Sequence, residues 1–175
     1  LVLRGFLFRE WRFRILNMAE RVTILGDGAM ATVCSILLTA GGHQTTMWGA
    51  FEESIDRLMQ NRENQRLLPG AKIPESVKLT ADDANAFEGC TLVLSAVPTQ
   101  YMRNVWTRLK RYLPRGTGIV SVAKGVENRT LLRPLQIIAD VISPGVVCPS
   151  ILAALSGPNV AAELDDSSSL LSRYR

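Results

Sequence analysis

Arg21-Val22-Thr23-Ile24-Leu25-Gly26-Asp27-Gly28-Ala29-Met30-Ala31 runs from an apolar, partly β-branched segment into a glycine turn. Val22 to Leu25 is short and apolar enough for a buried parallel strand, and Thr32 to Ala40 continues as a mostly apolar helix. Strand, Gly26-x-Gly28-x-x-Ala31 and helix, in that order, match the dinucleotide-binding fingerprint, with alanine in the third small position. Gly26 permits the tight turn, Gly28 lets a pyrophosphate approach the backbone, and Ala31 lets helix and strand pack closely. The helix N-terminus then offers free N–H groups and a partial positive charge to phosphate. Taken alone, such a turn also serves many α/β proteins that bind no nucleotide.

Working outward, Gly41-Gly42 stops this helix and Gln44 to Trp48 supplies a second strand. An acidic residue just beyond that strand holds ribose hydroxyls in NAD-binding folds, whereas an arginine accommodates the NADP phosphate. Ala50 takes the expected position, with Glu52 and Glu53 beyond it, so NAD and NADP both stay open. Phe51 to Gln60 reads as a helix with Ile55, Leu58 and Met59 inward, and residues 61–78 as a polar loop broken by Pro69-Gly70 and Pro74. Ala81 to Phe87 is a short helix and Cys90 to Val97 a third strand, closed by Pro98. Strand ends line the ligand crevice of a doubly wound sheet, which places Pro98 near the cofactor and suggests Thr99 as a helix cap.

Further on, the pattern predicts a helix over Thr99–Tyr112, a strand over Gly116–Val122, a helix over Leu131–Val141 and a strand near Ile151–Leu155. The fold class is therefore α/β, a doubly wound, mostly parallel sheet of Rossmann type. Lys124-Gly125, at a strand's carboxyl end, is placed to meet an anionic substrate, although such a lysine is also common in solvated turns.

The chain has 175 residues, of which 47% are hydrophobic, enough for one domain with a real core. The division expected is residues 1–20 as an extension outside the fold, 21–164 as the nucleotide-binding domain and 165–175 as an irregular tail. Residues 1–17 hold four arginines against one glutamate, and most of the net charge of +4 sits there. The remainder lacks the basic stripe that nucleic-acid binding requires, and no apolar run approaches a membrane span of ~20 residues. Cys34, Cys90 and Cys148 are widely spaced and read as buried free thiols in a reducing cytoplasm; with one histidine, His43, no metal site is expected.

Four further segments carry a family likeness: Arg62-Glu63-Asn64 with Leu67-Leu68-Pro69-Gly70 and Ile73-Pro74; Ala96-Val97-Pro98-Thr99-Gln100; Ser121-Val122-Ala123-Lys124-Gly125-Val126-Glu127; and Leu155-Ser156-Gly157-Pro158-Asn159-Val160-Ala161-Ala162-Glu163. In this order and spacing they resemble the cofactor domain of bacterial-type NAD(P)-dependent sn-glycerol-3-phosphate dehydrogenase, over roughly residues 20–163. The resemblance implies hydride transfer between glycerol 3-phosphate and dihydroxyacetone phosphate, hence glycerophospholipid precursor supply, with NAD or NADP as cofactor. It implies that Lys124 is catalytic and touches both substrate and cofactor, that Gly157 and Asn159 meet substrate, and that Ala161 meets the cofactor. Gly26, Gly28, Ala29, Met30, Ala31, Ala50 and Pro98 complete the implied cofactor set. A small phosphorylated substrate, a homodimer and a cytoplasmic location are implied with it.

The likeness has gaps. Met30 stands where the family usually has tryptophan, Ala50 where it often has arginine, Leu67 for a tyrosine and Asn159 for a serine. The family's helical domain, which brings a general-base lysine and a phosphate-binding arginine, is expected to be missing here, as a truncated or out-of-frame gene would leave it. The alternatives are a barely active nucleotide-binding remnant of the family and a related Rossmann dehydrogenase of the ketopantoate or 6-phosphogluconate type.

Overall fold

The computed structural model describes residues 19–143 and 151–157. Six strands form one parallel sheet: β1 (Arg21–Leu25), β2 (Gln44–Trp48), β3 (Lys78–Thr80), β4 (Leu92–Ser95), β5 (Gly118–Ser121) and β6 (Leu152–Ala154). Their spatial order is β3-β2-β1-β4-β5-β6, so the chain winds outward twice from the centre and reverses between β1 and β4. The helices are α1 (Ala29–Ala40), α2 (Glu52–Asn61), α3 (Asp83–Ala86), α4 (Thr99–Leu109), continued by a 3-10 turn over Lys110–Tyr112, and α5 (Pro134–Ile142).

Alternation along the strands sorts the core into two layers. Val22, Ile24, Met47 and Leu94 pack with Ala31 of α1 and with Ile55 and Leu58 of α2. Leu25, Trp48, Val93 and Ile119 pack on the other layer with Met102, Trp106 and Leu109 of α4 and with Ile137, Ile138 and Val141 of α5. Buried on both faces, the central strands read as continuous apolar runs. Their buried hydroxyls are satisfied: Thr23 Oγ1 donates to the Ala86 carbonyl at 2.6 Å, and Ser95 Oγ accepts from Trp106 Nε1 at 3.2 Å.

Several sequence expectations move. The polar loop ends in a strand, because β2 offers an open ladder to Lys78–Thr80 although Leu79 is that segment's one large apolar residue. The fifth helix starts at Pro134, not Leu131: Leu131 has φ +57 and Pro134 takes the first-turn position suited to proline. Met59 faces outward, 43% exposed, while Ile55 and Leu58 are buried. Pro98 caps α4 rather than Thr99, whose hydroxyl is used elsewhere. Cys90 is buried and Cys34 half-buried, its thiol pushed up to about 11 by burial. The expectations for residues 1–17, Cys148 and residues 158–175 fall outside the described residues. Among the described residues no helix is long and apolar enough to cross a membrane.

Candidate functional site

Register gathers the site. Trp48, Leu25, Ser95, Ser121 and Ala154 lie side by side across β2, β1, β4, β5 and β6, and each is the last residue of its strand. The turns that follow therefore open on one rim, the carboxyl edge, where a doubly wound sheet binds ligands. Gly26, Ala50, Pro98, Lys124 and Gly157 all stand in those turns. Gly26 and Lys124 follow strands two places apart, roughly 10 Å at ~4.8 Å per strand. Asn159 and Ala161 lie outside the described residues.

The two fingerprint glycines are needed for different reasons. Gly26 has φ +125, and a Cβ there would stand 3.0 Å from the Ala96 carbonyl oxygen. Its N–H donates to Trp48 O at 2.8 Å, so the turn is pinned between β2 and β4. Gly28 has φ -85 and caps α1 with no side-chain bond to the helix, and a Cβ there would meet nothing within 4 Å. The protein leaves that space open above the N-terminus of α1, which suits the approach of a pyrophosphate. Ala31 is fully buried against the α1–α2 layer. Ala29 and Met30 are half-buried, Ala29 toward Val33, Leu68 and Ala71, and Met30 toward that same layer.

A groove of about 1050 Å³ extends from the turn over the end of β2, bordered by Asp27, Ala50, Phe51, Glu52, Arg57 and Leu67. Its size suits an extended nucleotide half. Phe51 is 74% exposed at its lip, and Glu52 and Glu53 open α2 beside it. Gly49 must be small, since a Cβ would stand 2.8 Å from Ile55 Cδ1.

Residues that sequence reading gave no role complete the frame. Asn64 Nδ2 donates to the Asp27 carbonyl at 2.9 Å, while Thr32 Oγ1 donates to Gly28 O at 3.1 Å, so a buried amide braces the glycine turn from outside. Arg108 lies over the Trp48 ring at 5.3 Å, forks onto Asp83 at 2.6 and 2.7 Å and reaches Ala50 O at 3.4 Å. The Asp83 carboxylate holds the Arg108 guanidinium above its usual range. Arg108 carries no motif signal, its partners Asp83 and Ala50 lying 25 and 58 positions away, and Asn64 stands in the Arg62-Glu63-Asn64 segment, which carries a family likeness but no stated role.

Lys124 is exposed in the turn after β5, and its carbonyl accepts a 2.7 Å bond from Thr99 Oγ1. Gly125, next to it, has φ +93. Beyond it, Glu127 accepts a two-point bond from Arg103, at 2.9 Å for both contacts, and Arg103 also donates to Asp140 of α5 at 2.6 Å. The Arg103 fork and the Thr130 hydroxyl hold the Glu127 carboxyl below its usual range. Among the described residues no cluster of histidine, cysteine and carboxylates is arranged to hold a metal.

Residues 21–169 match the sequence profile described as the N-terminus of NAD-dependent glycerol-3-phosphate dehydrogenase. A glycerol-3-phosphate dehydrogenase (NAD(P)+) of Citrifermentans bemidjiense is 39% identical over 147 residues, 84% of this chain and 43% of that protein. The Syntrophomonas wolfei enzyme of the same name is 36% identical over 144 residues, 82% of this chain and 41% of its own length. The crystal structure of glycerol-3-phosphate dehydrogenase from Coxiella burnetii superposes with a TM-score of 0.75 at 27% identity, covering 83% of this chain and 43% of that one. The chain thus spans a little under half the length of the relatives it matches.

Proposed function

The chain belongs to the NAD-dependent glycerol-3-phosphate dehydrogenase family, and on that premise we propose that it is the cofactor-binding half of an enzyme interconverting glycerol 3-phosphate and dihydroxyacetone phosphate, in the cytoplasm and for glycerophospholipid precursor supply. The observation that carries this reading is the shared rim: the Gly26–Gly28 turn and Lys124 open on the same edge of the sheet. The residues fit a dinucleotide, because the space at Gly28 is open to an approaching phosphate while Gly26 has neither room nor backbone freedom for a side chain. The fingerprint turn with Ala29, Met30 and Ala31 would hold the pyrophosphate, Ala50 would border the adenosine ribose, and Pro98, Lys124 and Ala161 would also meet the cofactor. Bound NAD(H) or NADP(H) supplies the redox chemistry of the reaction.

Lys124 is placed to polarise the substrate's C2 oxygen, an electrostatic role that grows as charge develops there. Gly157 and Asn159 are assigned to substrate on the same reading. A proton must also move at that oxygen, and a positioned base is needed for it. In the oxidation direction the base is a group other than the Lys124 ammonium, whereas in reduction that ammonium can both polarise the oxygen and give it the proton.

Purified chain is titrated with NADH and NADPH by fluorescence, then assayed for dihydroxyacetone phosphate reduction. Saturable binding of either nucleotide agrees with this assignment. Absence of binding to both nucleotides rejects it. Lys124→Ala should weaken the response to dihydroxyacetone phosphate more than the affinity for NADH; equal losses would make the lysine structural.

A further inference from the structure

The segment that bears Lys124 has little to hold it by packing. Lys124, Gly125 and Val126 are all exposed, Val126 by 43%, and Gly125 turns through positive φ. Burial of apolar surface therefore does not fix where the lysine stands, and polar contacts must do so. Several of those contacts come from one helix. Thr99 Oγ1 donates to Lys124 O at 2.7 Å, and Gln100 Nε2 donates to Val126 O at 2.8 Å. Gln100 Oε1 accepts from Asn128 N at 3.1 Å, and Arg103 forks onto Glu127 at 2.9 Å twice. Thr99, Gln100 and Arg103 stand at i, i+1 and i+4 at the start of α4, which follows Pro98 at the crevice rim.

We infer that Gln100, Arg103 and Glu127 form a clamp that positions Lys124 over the crevice, an inference that rests on the proposed role of that lysine. The amide of Gln100 satisfies a carbonyl and an N–H on either side of Glu127, which sets the path of the backbone. The Arg103–Glu127 fork is planar and two-pointed, a geometry a lysine could not reproduce. Arg103 extends the frame to Asp140, so α4, the lysine loop and α5 meet at one guanidinium. Joining the helices does not require this, since Met102, Trp106, Ile137 and Ile138 already pack α4 on α5. The remaining purpose of the fork is the loop. Gln100, Arg103 and Glu127 touch neither ligand on this view; they act through Lys124.

The test reads the lysine itself. The parent chain, Gln100→Ala, Arg103→Met and Arg103→Lys are exposed to an amine-acylating reagent at fixed pH, with and without NADH, and labelling is followed by peptide mass. Lys72, which pairs with Glu63 and shares no bond with the clamp residues, is the internal control. Loss of the fork should change the Lys124 labelling rate roughly tenfold and weaken its shielding by NADH, with Lys72 unaffected. Arg103→Lys should recover little of this. If Arg103→Met does not fold, Gln100→Ala, which removes two bonds at an exposed site, carries the test alone. Parent-like labelling and shielding in folded variants overturns the clamp while leaving the role of Lys124 intact. Failure of NADH to shield Lys124 in the parent removes that role and the clamp together.

Discussion

Replacing each fingerprint glycine by alanine should separate a folding requirement from a binding requirement. At Gly26 the new methyl would stand 3.0 Å from Ala96 O, 3.2 Å from Ala96 C and 3.6 Å from Ala96 Cβ. None of these atoms can retreat, because Ala96 N donates to Leu25 O at 2.8 Å and holds the neighbouring turn in place. The φ of +125 adds a backbone cost of about 1–3 kcal/mol, and the forced contact about 1 kcal/mol more. Gly26→Ala should therefore lose about 2–4 kcal/mol and melt roughly 5–15 °C lower.

Gly28→Ala should melt close to the parent. Its φ of -85 is ordinary and the methyl meets nothing. A poorer helix cap is offset by the smaller entropy of the unfolded chain, each worth ~0.5–1 kcal/mol. The same methyl would stand where the pyrophosphate comes down on the helix. A contact cost of about 1–3 kcal/mol there weakens NADH binding by roughly ten- to a hundredfold. Thermal melts monitored by tryptophan fluorescence, paired with NADH titration, read both quantities. A Gly28→Ala chain that binds NADH within twofold of the parent would refute the cofactor placement. A Gly26→Ala chain that melts with the parent would refute the account of the turn.

Asn64→Ala removes the amide that braces Asp27 O and should cost about 1–3 kcal/mol in urea melts, with a parallel loss of NADH affinity as the glycine turn loosens. Trp106→Ala should cost about 3–5 kcal/mol, since the indole is fully buried between the sheet and α5 and its loss also leaves Ser95 without that donor. Glu127 titrates below its ordinary value of 4.5 because of Arg103 first and Thr130 second, so its contribution is complete above that value and fades as pH falls through the lowered one. Hydrogen exchange, corrected for intrinsic rates, should thus show residues 123–132 loosening below about pH 4.5 before the central strands do; uniform loosening would count against the assignment.

The sequence by itself determined the local elements that depend on near neighbours. The strand–glycine–helix order, the alternation of buried runs with amphipathic helices, and Lys124 after a strand end were all legible, because periodicity and turn chemistry act over a few residues. The family likeness supplied roles but no distances. Tertiary structure decided what depends on partners far along the chain. β3 exists because β2 presents an open edge, Leu131 is drawn out of the helix, and Met59 faces solvent. Asn64 under Asp27, Arg108 on Trp48, and the Gln100–Arg103–Glu127 set could not be read from residue types, since each pairing spans 24 or more positions. A hydrogen bond leaves no periodic trace in the chain; only the winding of the sheet brings its two ends within 3 Å of one another.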